Sequence, residues 1–156
     1  MGFLWISVLG TLLHFTHSWS GGNPFIGLFS AVSESVWEHL KLIFFPAASY
    51  ALLLCPFARK KCPACLTAFA AAAICAMAVL TMLYYTYSGI LGMDLSWVNI
   101  GLFYGCAALT AGLGIHWSNR WQETGNLWGL AIITAIAICF FRFTAVPPDL
   151  GIFSMP

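Results

Sequence analysis

Two carboxylates, an imidazole and an ammonium fall together in Glu34-Ser-Val-Trp-Glu38-His39-Leu-Lys41, in a 156-residue chain of which only 7% is charged. If this stretch is helical throughout, a rotation of about 100° per residue aligns Glu34, Glu38 and Lys41 on one face and Ser35, His39 and Leu42 on the next. Two carboxylates one turn apart in a poorly solvated place do not both ionise unless a cation joins them. The candidates for that cation are Lys41, Arg142 from the far end of the chain, a shared proton or a metal. With His14 added, the set His14, Glu34, Glu38 and His39 offers nitrogen and oxygen ligands suited to zinc, manganese or iron. Glu34, Glu38 and His39 are equally the types needed for acid and base catalysis. Lys41 and Arg142 would hold an anionic headgroup, with Tyr85 and Tyr87 as further substrate contacts.

A purely structural reading competes with each role. Ser35-x-x-Glu38 matches a capping box, in which a serine oxygen and a carboxylate satisfy orphan N–H groups at a helix start. Glu34 beside it would favour the positive end of the helix dipole. Lys41 can snorkel toward headgroups, and Trp19, Trp37 and Trp97 can anchor at an interface. His14 and His39 have no part in such a cap.

The elements that must position these residues follow from composition. Apolar residues make up 61% of the chain and aromatics 16%, and the mean hydropathy is +0.89. That is too apolar for a soluble domain with a polar surface. A formal net charge of +1 offers nothing to attract nucleic acid. The expected fold is all-α, an integral membrane bundle of about five transmembrane helices over residues 2–17, 36–57, 64–87, 97–117 and 126–146, forming a single domain. These blocks are continuously apolar, unlike the alternating strands of a β-barrel. The first lacks a positive leading segment and a small-residue cleavage site, so it is expected to stay as a helix and not be removed as a signal peptide.

Basic residues orient such a bundle, because short loops rich in Lys and Arg stay cytoplasmic. Arg59-Lys60-Lys61 lies between the second and third blocks and Arg120 between the fourth and fifth. The N-terminus is therefore expected inside and the C-terminus outside. That threading sends His14, His17, Glu34 to Lys41, Tyr84 to Ser88 and Arg142 to one outer-leaflet site. Cys62-Pro-Ala-Cys65 has redox-pair spacing, but it falls at the predicted cytoplasmic loop with no βαβ context, and free thiols are expected. Gly101, Gly105 and Gly112 make a small-residue seam that would let a second helix approach closely, a candidate homodimer surface.

Several motifs carry a resemblance. His14-Phe-Thr-His-Ser-Trp-Ser-Gly-Gly-Asn-Pro24, Gly27-Leu-Phe-Ser-Ala-Val-Ser-Glu-Ser-Val-Trp-Glu-His-Leu-Lys-Leu42, Tyr85-Thr-Tyr-Ser-Gly-Ile-Leu-Gly92 and Pro147-Pro148 resemble a family of small bacterial polytopic membrane proteins catalogued as a domain of unknown function. The likeness spans essentially the whole chain, and the first two motifs are the specific ones. The position of Ser33 is commonly Asn in that family, and basic residues that often open its members are absent before Met1. The resemblance implies a polytopic topology and a bacterial cytoplasmic membrane, and no activity.

Three functions fit these residues. The first is a metal-binding protein or enzyme acting on a lipid or amphiphile at the outer leaflet. The second is a dimeric proton- or cation-coupled carrier in which Glu34 and Glu38 load and release the ion. The third is an assembly or accessory protein whose polar cluster only fixes helix packing.

Overall fold

The structure, a computed structural model, describes residues 1–58, 64–121 and 125–154. Among them are the α-helices α1 (Gly2–Trp19), α2 (Pro24–Gly27), α3 (Val36–Ala58), α4 (Cys65–Leu91), α5 (Ser96–Arg120) and α6 (Leu127–Ala145), then a 3₁₀ turn at Gly151–Phe153, and no strand. Arg59, Lys60, Lys61 and Cys62 lie outside the described residues.

Helices α4, α5 and α6 are long and apolar enough to cross a membrane. The other two long helices carry their polar residues at one end. His14 and His17 close α1, and Glu38, His39 and Lys41 open α3. At about 1.5 Å per residue α1 is roughly 27 Å long, close to the thickness of a hydrocarbon core.

The long helices alternate in direction, so their ends meet in two layers. At one layer Leu66 N–H and Thr67 Oγ1 on α4 reach Asn126 Oδ1 (2.8 Å) and Gly125 O (2.6 Å), just before α6. At the other lie the end of α1, the start of α3, the α4–α5 turn and the end of α6. Helix α4 is central, packing against α3, α5 and α6, while α1 covers α3 and α5. Its Ala-rich face is buried through Ala68, Ala72, Ala73 and Ala76. Small side chains there let three neighbours approach one axis. Helix α6 is peripheral, and its outward side chains are apolar: Leu127 is 79% and Trp128 68% exposed.

Close approach is taken by glycines outside the expected seam. A Cβ on Gly129 of α6 would sit 2.3 Å from Thr67 N, and one on Gly10 of α1 would sit 2.4 Å from Leu42 O. The second contact has a covalent origin. Pro46 has no N–H to give the carbonyl of Leu42 one turn earlier, and the bare backbone of Gly10 packs on the oxygen left over. Gly101, Gly105 and Gly112 meet no atom within 4 Å at their Cβ positions. Among the described residues, none packs on that seam.

The connection from α1 to α3 shapes the polar layer. Gly21 and Gly22 turn the chain at φ 71° and 80°, a left-handed conformation that side chains resist. Asn23 Oδ1 then accepts from Phe25 N–H (2.9 Å) to start α2, with Pro24 at its first position. Ser30 fastens the segment back to α1: its hydroxyl accepts from Thr16 Oγ1 (3.0 Å) and His17 N–H (3.1 Å) and donates to Leu13 O. The helical reading of 34–41 fails at its first two residues, because α3 begins only at Val36. Glu34 therefore leaves the face it was expected to share with Glu38.

Candidate functional site

The polar cluster separates into two groups that point in different directions. The inner group is an ion pair. Lys41 Nζ donates to Glu38 Oε2 (2.6 Å), Gly27 O (2.9 Å) and Ser30 O (3.4 Å). Glu38 also accepts from Val32 N–H (3.0 Å) and from Thr144 Oγ1 on α6 (3.1 Å). Lys41 is 0% and Glu38 5% exposed. The ammonium and carboxylate spend their hydrogen bonds on each other, on the loop wrapped around them and on Thr144. Glu38, expected as a ligand or acid–base group, and Lys41, expected as a headgroup anchor, therefore lie with each other and the 27–32 loop, apart from His14, Glu34 and His39.

The capping box is half made. Ser35 Oγ accepts from Glu38 N–H at 3.4 Å, but the Glu38 carboxylate turns to Lys41 instead of reaching back, and Ser35 N–H is served by Ser33 Oγ at 3.4 Å.

The outer group brings three segments together. His14 from α1, His39 from α3 and Glu34 from the loop before it each offer a ligand atom, and the three atoms lie within 4.8 Å of one another. His39 Nε2 is 3.4 Å from Glu34 Oε2, and the His14 and His39 ring centroids are 5.3 Å apart. His39 Nδ1 lies 2.9 Å from Ser35 O. A carbonyl can only accept, so Nδ1 carries a proton and Nε2 is the nitrogen turned toward Glu34. Orientation of a ligating imidazole by a backbone carbonyl is the usual supporting arrangement of a metal site. His14 Nδ1 is buried with no hydrogen-bond partner, a cost that a bound ion or proton donor would remove. Two imidazoles and a carboxylate are a borderline-hard set that fits zinc, with a position left for a further ligand.

A cavity of about 500 Å³ opens beside this group. Glu34 and His39 form part of its wall, with Tyr84 of α4, Asp94 and Ser96 at the α4–α5 turn and Asn99 of α5 opposite, over an apolar floor that includes Leu80 and Phe103. A second cavity of about 250 Å³ lies between α1 and α5, lined by Gly10, Phe15, Ile100, Phe103 and Tyr104. His39, Leu42, Asn99 and Phe103 line both, and His14 lines the smaller one.

The other expected contacts are rearranged. Tyr85 and Arg142 are exposed and line neither cavity. Tyr87 supports the wall from behind: its hydroxyl bonds Asp94 Oδ1 (2.7 Å) and Asn99 Oδ1, while Asn99 Nδ2 donates to Asp94 Oδ1 at 2.7 Å. Sequence reasoning passed over Asp94 and Asn99. The available signal was an acid just ahead of an apolar block and an amide one turn inside it, both rare near lipid. Trp37, read as an interfacial anchor, packs among Phe140, Phe143 and Phe153 at ring separations of 4.8, 5.5 and 4.9 Å.

No curated protein and no solved structure matches the chain. A family model does match, over residues 1–155, under the description Family of unknown function (DUF6512). By that match across nearly its whole length, the chain belongs to this family of unknown function.

Proposed function

We propose that the chain is an integral membrane protein of five spans, α1 and α3 to α6, with its N-terminus inside, in which His14, Glu34 and His39 hold a divalent ion at the outer face of the bacterial cytoplasmic membrane. The ion, with zinc favoured over manganese or iron by the two imidazoles, acts on a lipid or other amphiphile drawn from the bilayer. What carries the reading is the convergence of three ligand atoms from three separate segments within 4.8 Å, beside a cavity of about 500 Å³. A bound ion there would polarise an oxygen of the amphiphile. His39 is held by the Ser35 carbonyl, and the cavity beside it has an apolar floor that includes Leu80 and Phe103.

Elemental analysis of the purified protein tests the reading. A stoichiometric divalent ion is expected in the parent and its loss in His14→Ala and His39→Ala, both still inserted and thermally stable. Metal content that is nil in the parent, or unchanged in both variants, would refute it.

The dimeric carrier draws on one observation, the open face at Gly101, Gly105 and Gly112, which is free to meet a second copy. It has less to work with, since Glu38, the carboxylate it would pair with Glu34, is committed to Lys41. The accessory reading accounts for the Glu38–Lys41 pair, but not for a histidine pair and a carboxylate left beside a cavity.

A further inference from the structure

The two cavities differ in character. With Glu34 given to the ion, the larger cavity keeps one charged carboxylate, Asp94, and among the described residues no Lys or Arg lines it. The lysine at this end of the bundle, Lys41, is buried against Glu38. An anionic headgroup at the Asp94 wall would meet a like charge with no ammonium or guanidinium beside it, which selects against it. A cation meets the opposite. Asp94 is fixed in place by Tyr87 and Asn99, and both hydrogen bonds fall on Oδ1. The ring of Tyr84 in the same wall gives a cation a further favourable surface.

The smaller cavity is mostly apolar. At about 250 Å³ it lies below the roughly 300–1,000 Å³ of drug-sized sites and has room for a single chain. Its shared walls with the larger cavity, His39, Leu42, Asn99 and Phe103, let one molecule occupy both.

We propose that this pair of cavities binds a single-chain amphiphile bearing an ammonium group, with the ammonium on Asp94 and the chain in the slot between α1 and α5. This rests on reading the cavity beside His14, Glu34 and His39 as the substrate site, and it names the substrate class. His14 lines the chain slot, Glu34 the head chamber and His39 both. The atoms next to the three ligands are therefore those at the junction of head and chain.

The test uses the full chain in nanodiscs of zwitterionic lipid, titrated calorimetrically with dodecylamine, dodecanol and dodecyl phosphate, with empty nanodiscs subtracted. Dodecylamine is expected to bind at least about tenfold more tightly than dodecyl phosphate, and Asp94→Asn to weaken the amine by about tenfold or more, as loss of a charge-assisted hydrogen bond implies. Asp149→Asn, at an exposed acid that lines neither cavity, should leave amine binding unchanged and so separates a site from general surface charge. Ile100→Trp, which fills the slot from an exposed position, should weaken dodecylamine and spare butylamine. Equal binding of phosphate and amine, or an Asp94→Asn variant that binds the amine like the parent, overturns the proposal. Metal content is measured on the same samples. Amine binding that depends on Asp94 in a protein holding no metal would sink the metal reading and sustain this one; normal metal with amine binding indifferent to Asp94 does the reverse.

Discussion

Lys41 has no exposed surface, and its ammonium donates to Glu38 and to two carbonyls of the 27–30 segment. In such surroundings a charge is tolerated only while its partner is present. Glu38→Gln removes the partner and keeps the shape, so it is expected to cost about 3–5 kcal/mol of stability, the range for stranding one member of a buried pair. The double variant Glu38→Gln, Lys41→Met should recover most of that loss. Thermal unfolding in detergent checks both, and a Glu38→Gln variant as stable as the parent would show that the pair holds nothing together. Metal content, by contrast, should follow His39 and not Glu38. The two residues are adjacent in sequence, but on α3 they face about 100° apart, one toward the inner loop and Thr144, the other toward His14 and Glu34.

Among the helices, the contacts that decide packing are made by glycines with another backbone against them. Gly129 lets α6 lie on α4 while its N–H donates to Thr67 Oγ1 at 3.0 Å. Gly129→Val is therefore expected to destabilise by about 1–3 kcal/mol or more, as overpacking against a backbone that cannot give way. Gly112→Ala, on a helix face with nothing within 4 Å, should be neutral or stabilising by up to about 1 kcal/mol through helix propensity alone. Unfolding midpoints of the two variants give the comparison, and equal effects would contradict it. Gly105→Leu offers a separate reading of the same face. If a second copy packs there, the variant should shift the protein from dimer to monomer in detergent; unchanged oligomeric state would remove that surface from consideration.

At the scale of the molecule, alternating helix directions put His14, Glu34, His39, Asp94 and Asn99 in one layer, and Gly125, Asn126, Leu66 and Thr67 in the other. The proposed orientation, with the basic run at 59–61 in the cytoplasm, would turn the site layer and the C-terminus outward. A phosphatase fused after Pro156 should then be active outside the cell. Activity of the fusion in the cytoplasm would reverse the orientation and put the proposed ion on the other face.

Composition and apolar block length suffice to identify a helical, membrane-type chain, because burial in lipid demands long uninterrupted apolar helices whatever their packing. The types His14, Glu34 and His39 are equally visible in one dimension, since imidazoles and carboxylates near lipid are costly enough to stand out. Which of them meet is not visible. Periodicity joins Glu34 to Glu38, but the chain enters α3 only at Val36, and the glycine turn with the Ser30 fastening carries Glu34 toward His39 instead. The Asp94–Asn99 wall belongs to a turn whose partners lie on other helices, so its part in a cavity is set by how α3, α4 and α5 pack. Residue type and helix length are local properties of the sequence; the separation of Glu38 from the histidine pair is a product of long-range contact between the loop, α1 and α6.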